Sequence, residues 1–390
     1  MMDTPPAPPL GPPDRGCGFL NAPRRMLILN PFGIGDVLFS TPLVRAVRRA
    51  FPNAYLAYFG NRRTEQILRR NPHLNELFIY ERDEMVRLWR QQPFEAIRTS
   101  WQLLRQLRRR RFDLVFDLSL GERYSFLLSM MGVPRRAGFD YRRRGRFLTH
   151  QLVIDGFRDR HVITYYDDVL EMLGIRLRNS HMELPTPDLA AGQETDAFAR
   201  LQLDAARTVI GVVPAGGVSW GMQAHFRRWP KEGFVEVARR LARRERVRIL
   251  VFGERQDHAI CAEIARAVGP AAVDVSGQTT LEQFIGLIAR CDLVISNDGG
   301  PVHIAASQDV RTVSIFGPVD PEVYGPFPRG DRHRVVHHAG LPCRPCYHRF
   351  RLPECPYDRA CLNTLAADEV LAACEAALLD VDREAAPSAR

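Results

Sequence analysis

Four short stretches of this chain combine carboxylates, guanidinium groups and glycines at spacings suited to anion binding and proton transfer. The first is Gly33-Ile34-Gly35-Asp36. Two glycines, Gly33 and Gly35, let backbone approach a ligand closely. Asp36 then stands at the head of a helix, where a carboxylate can act as a general base. The same residue also fits a plainer role, a first-turn carboxylate favoured by the helix dipole. A dinucleotide fingerprint G-x-G-x-x-G is not completed, because Leu38 occupies the third glycine position.

The second stretch runs from the apolar Thr208–Val213 through Pro214-Ala215-Gly216-Gly217 to Phe226-Arg227-Arg228-Trp229-Pro230. Pro230 reads as the first residue of a helix continuing from Lys231. Arg227 and Arg228, two guanidinium forks beside unpaired helix N–H groups, make a diphosphate seat. The third, Leu293-Val294-Ile295-Ser296-Asn297-Asp298-Gly299-Gly300-Pro301-Val302-His303-Ile304, empties a buried strand into a glycine turn and then a helix. Asp298 and the amides of Gly299 and Gly300 could hold phosphate or ribose, and His303 could donate to an oxygen or simply pack. The fourth is Phe252-Gly253-Glu254, where Glu254 could accept from ribose hydroxyls.

Other motifs carry less. Cys343, Cys346, Cys355 and Cys361 could supply four thiolates to a structural zinc, although the second pair lacks the usual short spacing. Asp380-Val381-Asp382 has the letters of a D-x-D metal motif but lies in a charged tail, so it reads as coincidence. The basic runs Arg105–Arg111 and Arg142–Arg146 read as solvated faces or as seats for the phosphates of an anionic lipid. They contain almost no interleaved aromatics, which argues against nucleic acid.

The elements that must carry these groups alternate. Apolar runs at 26–30, 54–59, 77–80 and 112–118, with a basic helix over 100–110, predict one parallel α/β unit; runs at 208–213, 247–252, 292–296 and 312–316, with helices over 234–243 and 281–289, predict a second. We therefore expect two Rossmann-like domains, 26–190 and 205–365, with parallel sheets facing across a cleft, a helix and tail over 366–390, and ligands at the carboxyl ends of the strands. Residues 1–25, rich in proline and without an apolar core, read as a disordered leader and not a signal peptide. The longest uncharged stretch, 208–226, is broken by Pro214 and several glycines, which excludes a membrane span there. Eight cysteines in 390 residues are too sparse for a disulfide scaffold and suit a cytoplasmic protein. The net charge of +9 favours an anionic partner. With Lys231 the only lysine, most of the arginines reflect composition and not selected contacts.

Taken in order, Gly35-Asp36, Arg227-Arg228-Trp229-Pro230, Gly277-Gln278-Thr279-Thr280-Leu281, Asp298-Gly299-Gly300-Pro301-Val302-His303 and Phe316-Gly317-Pro318 resemble glycosyltransferase family 9, the ADP-heptose:lipopolysaccharide heptosyltransferases. The resemblance covers 26 to about 361 and implies a GT-B fold, with an acceptor-binding first domain and a nucleotide-sugar-binding second one. It implies an inverting transfer of heptose from ADP-heptose to a lipopolysaccharide inner-core acceptor, without a metal or other cofactor in catalysis. Asp36 matches the family's catalytic base, and Arg227 a position, often lysine, that steadies the leaving diphosphate. Asp298, Gly299 and Gly300 match the nucleotide loop, with Gly299 in place of a frequent Ser or Thr. Glu254 lies near the ribose-binding acid. The partners implied are a nucleotide-sugar donor and an anionic glycolipid acceptor met at the inner face of the cytoplasmic membrane. A GT-B transferase or epimerase acting on another nucleotide sugar, and a basic RNA-binding module that keeps the fold, are the alternatives.

Overall fold

A computed structural model describes residues 22–187, 201, 203, 206–216 and 218–385. The leader expected over 1–25 and Gly217 of the glycine loop fall wholly or mostly outside these residues. The chain divides into two compact units: one takes the residues up to Phe32 with Phe39–Asp155 and Ile163–Ser180, the other Gly33–Leu38, Gly156–Val162 and His181 onward.

The first unit is built on β1 (Arg25–Leu29), β2 (Tyr55–Gly60), β3 (Glu76–Ile79), β4 (Leu114–Asp117), β5 (Arg135–Tyr141) and β6 (His150–Ile154). Its order is β3-β2-β1-β4-β5-β6, every pair parallel. The associated helices are α1 (Ile34–Ala50), α2 (Glu65–Arg69), α3 (Arg82–Gln91), α4 (Pro93–Arg110), α5 (Glu122–Met130) and α6 (Val162–Glu171). Because both faces of a parallel sheet are covered, its central strands are apolar throughout: Met26, Leu27 and Ile28 of β1 and Leu114, Val115 and Phe116 of β4 are fully buried.

The second unit repeats the plan with β7 (Thr208–Val213), β8 (Val247–Val251), β9 (Ala272–Asp274), β10 (Leu293–Asn297), β11 (Arg311–Ile315) and β12 (His333–Val336). The order β12-β11-β10-β7-β8-β9 is the same Rossmann winding, again all parallel. Its helices are α7 (Lys231–Leu241), α8 (His258–Val268), α9 (Leu281–Ile288), α10 (Gly300–Ser307), α11 (Pro321–Tyr324), α12 (Ala360–Asn363) and α13 (Ala367–Ala385). Phe234, Val237 and Leu241 of α7 and Val370, Cys374 and Leu378 of α13 cover one face of the sheet, against Ile210, Ile249, Leu293, Val313 and their neighbours. The fold class is thus the expected α/β pair of Rossmann-like sheets.

Four strands, β5, β6, β9 and β12, were not apparent in the sequence. β5 reads Arg-Arg-Ala-Gly-Phe-Asp-Tyr and β12 His-Arg-Val-Val; pairing with a parallel neighbour, and not an apolar run, makes them strands. The basic helix expected over 100–110 begins earlier, at Pro93, which is pre-set for a first helical turn. Pro230 precedes α7 as its cap (φ −53°, ψ 137°) and is not its first helical residue. No helix among the described residues is long and apolar enough to cross a membrane.

Candidate functional site

In each sheet the winding reverses beside the first strand, between β1 and β4 and between β7 and β10, and loops leaving the carboxyl ends there are where α/β sheets bind ligands. The four expected stretches leave β1, β7, β10 and β8, so three of them flank these points.

Asp36 sits in the first turn of α1, which opens with the Val37 amide donating to the Gly33 carbonyl (3.0 Å). This turn groups with the second unit. Asp36 is half-buried as a residue, and protein crowds its carboxyl enough that burial pushes the pKa from 3.8 up to about 6. The Gly33 and Asp36 amides and the charge of Arg227 oppose that rise. Gly35 is required by a close approach: a Cβ there would lie 2.8 Å from Cδ2 of His303. A Cβ on Gly300 would lie 3.4 Å from Ile34. The first turns of α1 and α10 therefore pack against each other, both within the second unit.

Arg227 forms an ion pair with Asp298, and both are almost entirely buried. Burial raises the Asp298 carboxyl while Arg227 holds it down. The Asp298 amide donates to the Ile315 carbonyl (2.9 Å). The Asp298 carboxylate is thus held against the Arg227 guanidinium through Oδ2, while its Oδ1 is buried without a hydrogen-bond partner among the described residues. His303 is buried, and desolvation with the nearby charges of His161 and Arg227 lowers its pKa to about 3, so its imidazole is neutral.

Arg228 donates from Nε to the Gly216 carbonyl (3.2 Å) and lies 3.5 Å from Asp257 Oδ1. Asp257 Oδ2 in turn accepts from the Glu254 amide (3.1 Å) in a reciprocal cap of the short 3₁₀ turn Arg255–Asp257. Glu254 is exposed and takes part in that cap. Gly277, at φ +67°, donates to the Gly253 carbonyl (2.9 Å), and a Cβ there would meet the Arg255 backbone at 2.9 Å. Thr280 caps α9 through Gln283.

Several groups were not singled out in the sequence. Asn297 accepts from the Trp229 amide (2.9 Å) and donates to the Pro214 carbonyl (2.7 Å), tying together the loops that carry Gly216, Arg227 and Asp298. Asp257 links Arg228 to Glu254. His161 contacts the Gly325 carbonyl (3.1 Å) and stacks on Phe327 at 4.5 Å; burial lowers its pKa to about 4. In the first unit, Asp117 ends β4 opposite Leu29 of β1. Burial raises it to about 6, its Oδ1 accepts from the Ser119 amide (3.0 Å), and its Oδ2 is buried without a hydrogen-bond partner among the described residues. A carboxylate closing an apolar strand was the available signal for Asp117; Asn297, Asp257 and His161 had none.

The zinc expectation finds no support. Cys343, Cys346, Cys355 and Cys361 are free cysteines, and no three His, Cys, Asp or Glu side chains among the described residues are grouped to hold a metal. Cys361 lies on α12 in the apolar core, and burial raises its thiol to about 11. Asp380 and Asp382 fall on α13, not at a strand end.

The family model for glycosyltransferase family 9 (heptosyltransferase) matches residues 100–355, well over half of the 390. Lipopolysaccharide heptosyltransferase 2 of Salmonella typhimurium is 25% identical over 77% of this chain and 85% of its own length. Lipopolysaccharide heptosyltransferase 3 of Escherichia coli K12 is 26% identical over 91% and 97%. Among solved structures, E. coli ADP-heptose lps heptosyltransferase II superposes with a TM-score of 0.68 at 23% identity, covering 92% of this chain and 99% of that one. A family 9 transferase from Veillonella parvula gives 0.72 at 23%, over 92% and 97%. With the doubled Rossmann winding and the strand-end loops, these matches establish that the chain belongs to glycosyltransferase family 9 and is a glycosyltransferase.

Proposed function

We propose that this enzyme moves a heptose from ADP-heptose to a lipopolysaccharide core acceptor, with inversion and without a metal. The donor and acceptor classes follow the names of its relatives, lipopolysaccharide heptosyltransferases 2 and 3. The observation that carries the chemistry is the convergence of Asp36, Arg227 and the amino terminus of α10 on one place.

In the reaction, Asp36 takes the proton of the acceptor hydroxyl as its oxygen bonds to the anomeric carbon. The bond from that carbon to the β-phosphate oxygen breaks on the opposite face, and its electron pair leaves with ADP. Arg227, oriented by Asp298, and the amides of Gly299 and Gly300 balance the charge that grows on the diphosphate. A base with a pKa of about 6 is ionised at neutral pH yet basic enough to take a proton. Arg228 and Glu254 are assigned to the donor, and Gly33 and Gly35 to close backbone approach. Neutral His303 shapes the floor beneath α1. The acceptor is a lipid-linked anion, so the enzyme works at the cytoplasmic face of the membrane.

Purified protein given ADP-heptose and a heptose-deficient core acceptor should release ADP and yield an α- or β-linked product opposite to the donor's configuration. Chelator should leave the rate unchanged. Absence of transfer with ADP-heptose, together with turnover of another nucleotide sugar, would refute the donor assignment.

A further inference from the structure

The helical hairpin α3–α4 of the first unit carries an unusual surface. Val86 (42% exposed) and Trp89 (49%) lie on α3; Phe94 (86%), Ile97 (52%) and Trp101 (64%) lie on α4. These residues account for half of the ten large apolar side chains exposed among the described residues. At 3.6 residues per turn, Phe94, Ile97 and Trp101 fall within about 60° of one another, and Arg105 continues the same stripe. Arg82, Val86, Trp89 and Arg90 likewise share one side of α3.

The buried side of the hairpin is a different set. Ala96 and Leu107 of α4 and Met85 of α3 turn inward, and the Ser100 hydroxyl donates to the Met85 sulfur at 3.6 Å. The exposed aromatics are therefore surplus to holding the hairpin on its sheet. Their charge context is also one-sided. Residues 82–110 hold eight arginines against three carboxylates. Two of the carboxylates are already paired, Glu95 with Arg98 and Glu84 with Arg62. A stripe of Trp, Phe and Ile bordered by arginines matches an anionic bilayer interface: rings enter the headgroup boundary and guanidinium groups meet lipid phosphates.

We propose that the α3–α4 hairpin docks the enzyme on an anionic lipid bilayer by inserting Trp89, Phe94, Ile97 and Trp101 into its interface. This deepens the reading of a lipid-linked acceptor and rests on it for its purpose, but its test does not depend on turnover.

Vesicles of phosphatidylethanolamine and phosphatidylglycerol are compared with pure phosphatidylcholine, with no donor or acceptor sugar present. Wild-type protein should float with the anionic vesicles, less so at high salt. The variant Trp89→Ser/Phe94→Ser/Trp101→Ser should partition more than tenfold more weakly. Phe94→Asp alone, at the most exposed position, should also weaken partition and serves if the triple variant melts early. Transfer to a delipidated, water-soluble core oligosaccharide should be the same in wild type and variants. Failure of wild type to bind anionic vesicles, or equal binding by the variants, would overturn the proposal even if transfer is confirmed. Self-association of wild type that the variants lose, without vesicle binding, would overturn it in favour of a second copy of this chain on that face. Vesicle binding with no transfer to any acceptor would sustain the docking and reject only the proposed reaction.

Discussion

Replacing Asp36 by asparagine should make the protein more stable and almost inactive at once. A rise in pKa from 3.8 to about 6 means that ionising this carboxyl in the folded state costs about 3 kcal/mol, at about 1.4 kcal/mol for each tenfold change in the protonation equilibrium. The sign follows from proton counts. Between the two pKa values the folded chain binds more protons at this residue than the unfolded chain, so stability falls as pH rises through that window and stays low above it. Asparagine mimics the protonated acid and removes the penalty. At about pH 8 the variant should unfold some 5 °C higher than wild type, with about 3 kcal/mol as the ceiling on the gain. At about pH 4 the gain should shrink below about 1 kcal/mol. Asp117 and Asp298 also have raised pKa values, so the diagnostic quantity is the difference between wild type and variant at each pH. Thermal melting across that range, paired with ADP release, reads both effects. Transfer should drop ~10²- to 10⁴-fold, the usual worth of a general base. In wild type the rate should climb with a limb near pH 6. A melting difference that does not vary with pH, or a variant with wild-type turnover, would refute the assignment of a desolvated catalytic carboxylate.

Three further outcomes follow from the same geometry. Gly35→Ala forces a Cβ to 2.8 Å from His303 and should cost about 1–3 kcal/mol in chemical denaturation, and His303→Ala in the same chain should restore part of that loss. Arg227→Met should destabilise by about 3 kcal/mol or more, because it strands the buried Asp298 carboxylate, and adding Asp298→Asn should restore part of that loss; a double-mutant cycle in urea checks this. Asn297→Ala leaves the Trp229 amide and the Pro214 carbonyl without their partner, and should lower stability by about 2–4 kcal/mol with a larger loss in affinity for ADP, measured by calorimetry.

The fold was legible where strands are central. β1, β4, β7 and β10 must be apolar on both faces, so their composition announces them. Strands away from the sheet centres, β5 next to an edge and β9 and β12 at edges, are defined by a neighbour's backbone, and Arg135, Arg136 or His333 in them send the opposite signal. The candidate site residues follow a similar division. Asp36, Arg227, Asp298 and His303 were visible because glycines and helix starts flank them at recognisable spacing. Asn297 and His161 were not, since each acts on backbone groups far away in sequence: Asn297 on Pro214 and Trp229, His161 on Gly325.

The amino-acid order alone determined the alternation of strands and helices, the glycine-bearing strand ends and the family, because those depend on local periodicity and on motifs read in series. Tertiary structure decided which of the four loops share a place, that Asp298 pairs with Arg227, and that Cys343, Cys346, Cys355 and Cys361 are free thiols. It also decided that Trp89, Phe94 and Trp101 face solvent while Ala96 and Leu107 do not. Burial and ion pairing are properties of neighbours, and the neighbours are chosen only when the sheets close.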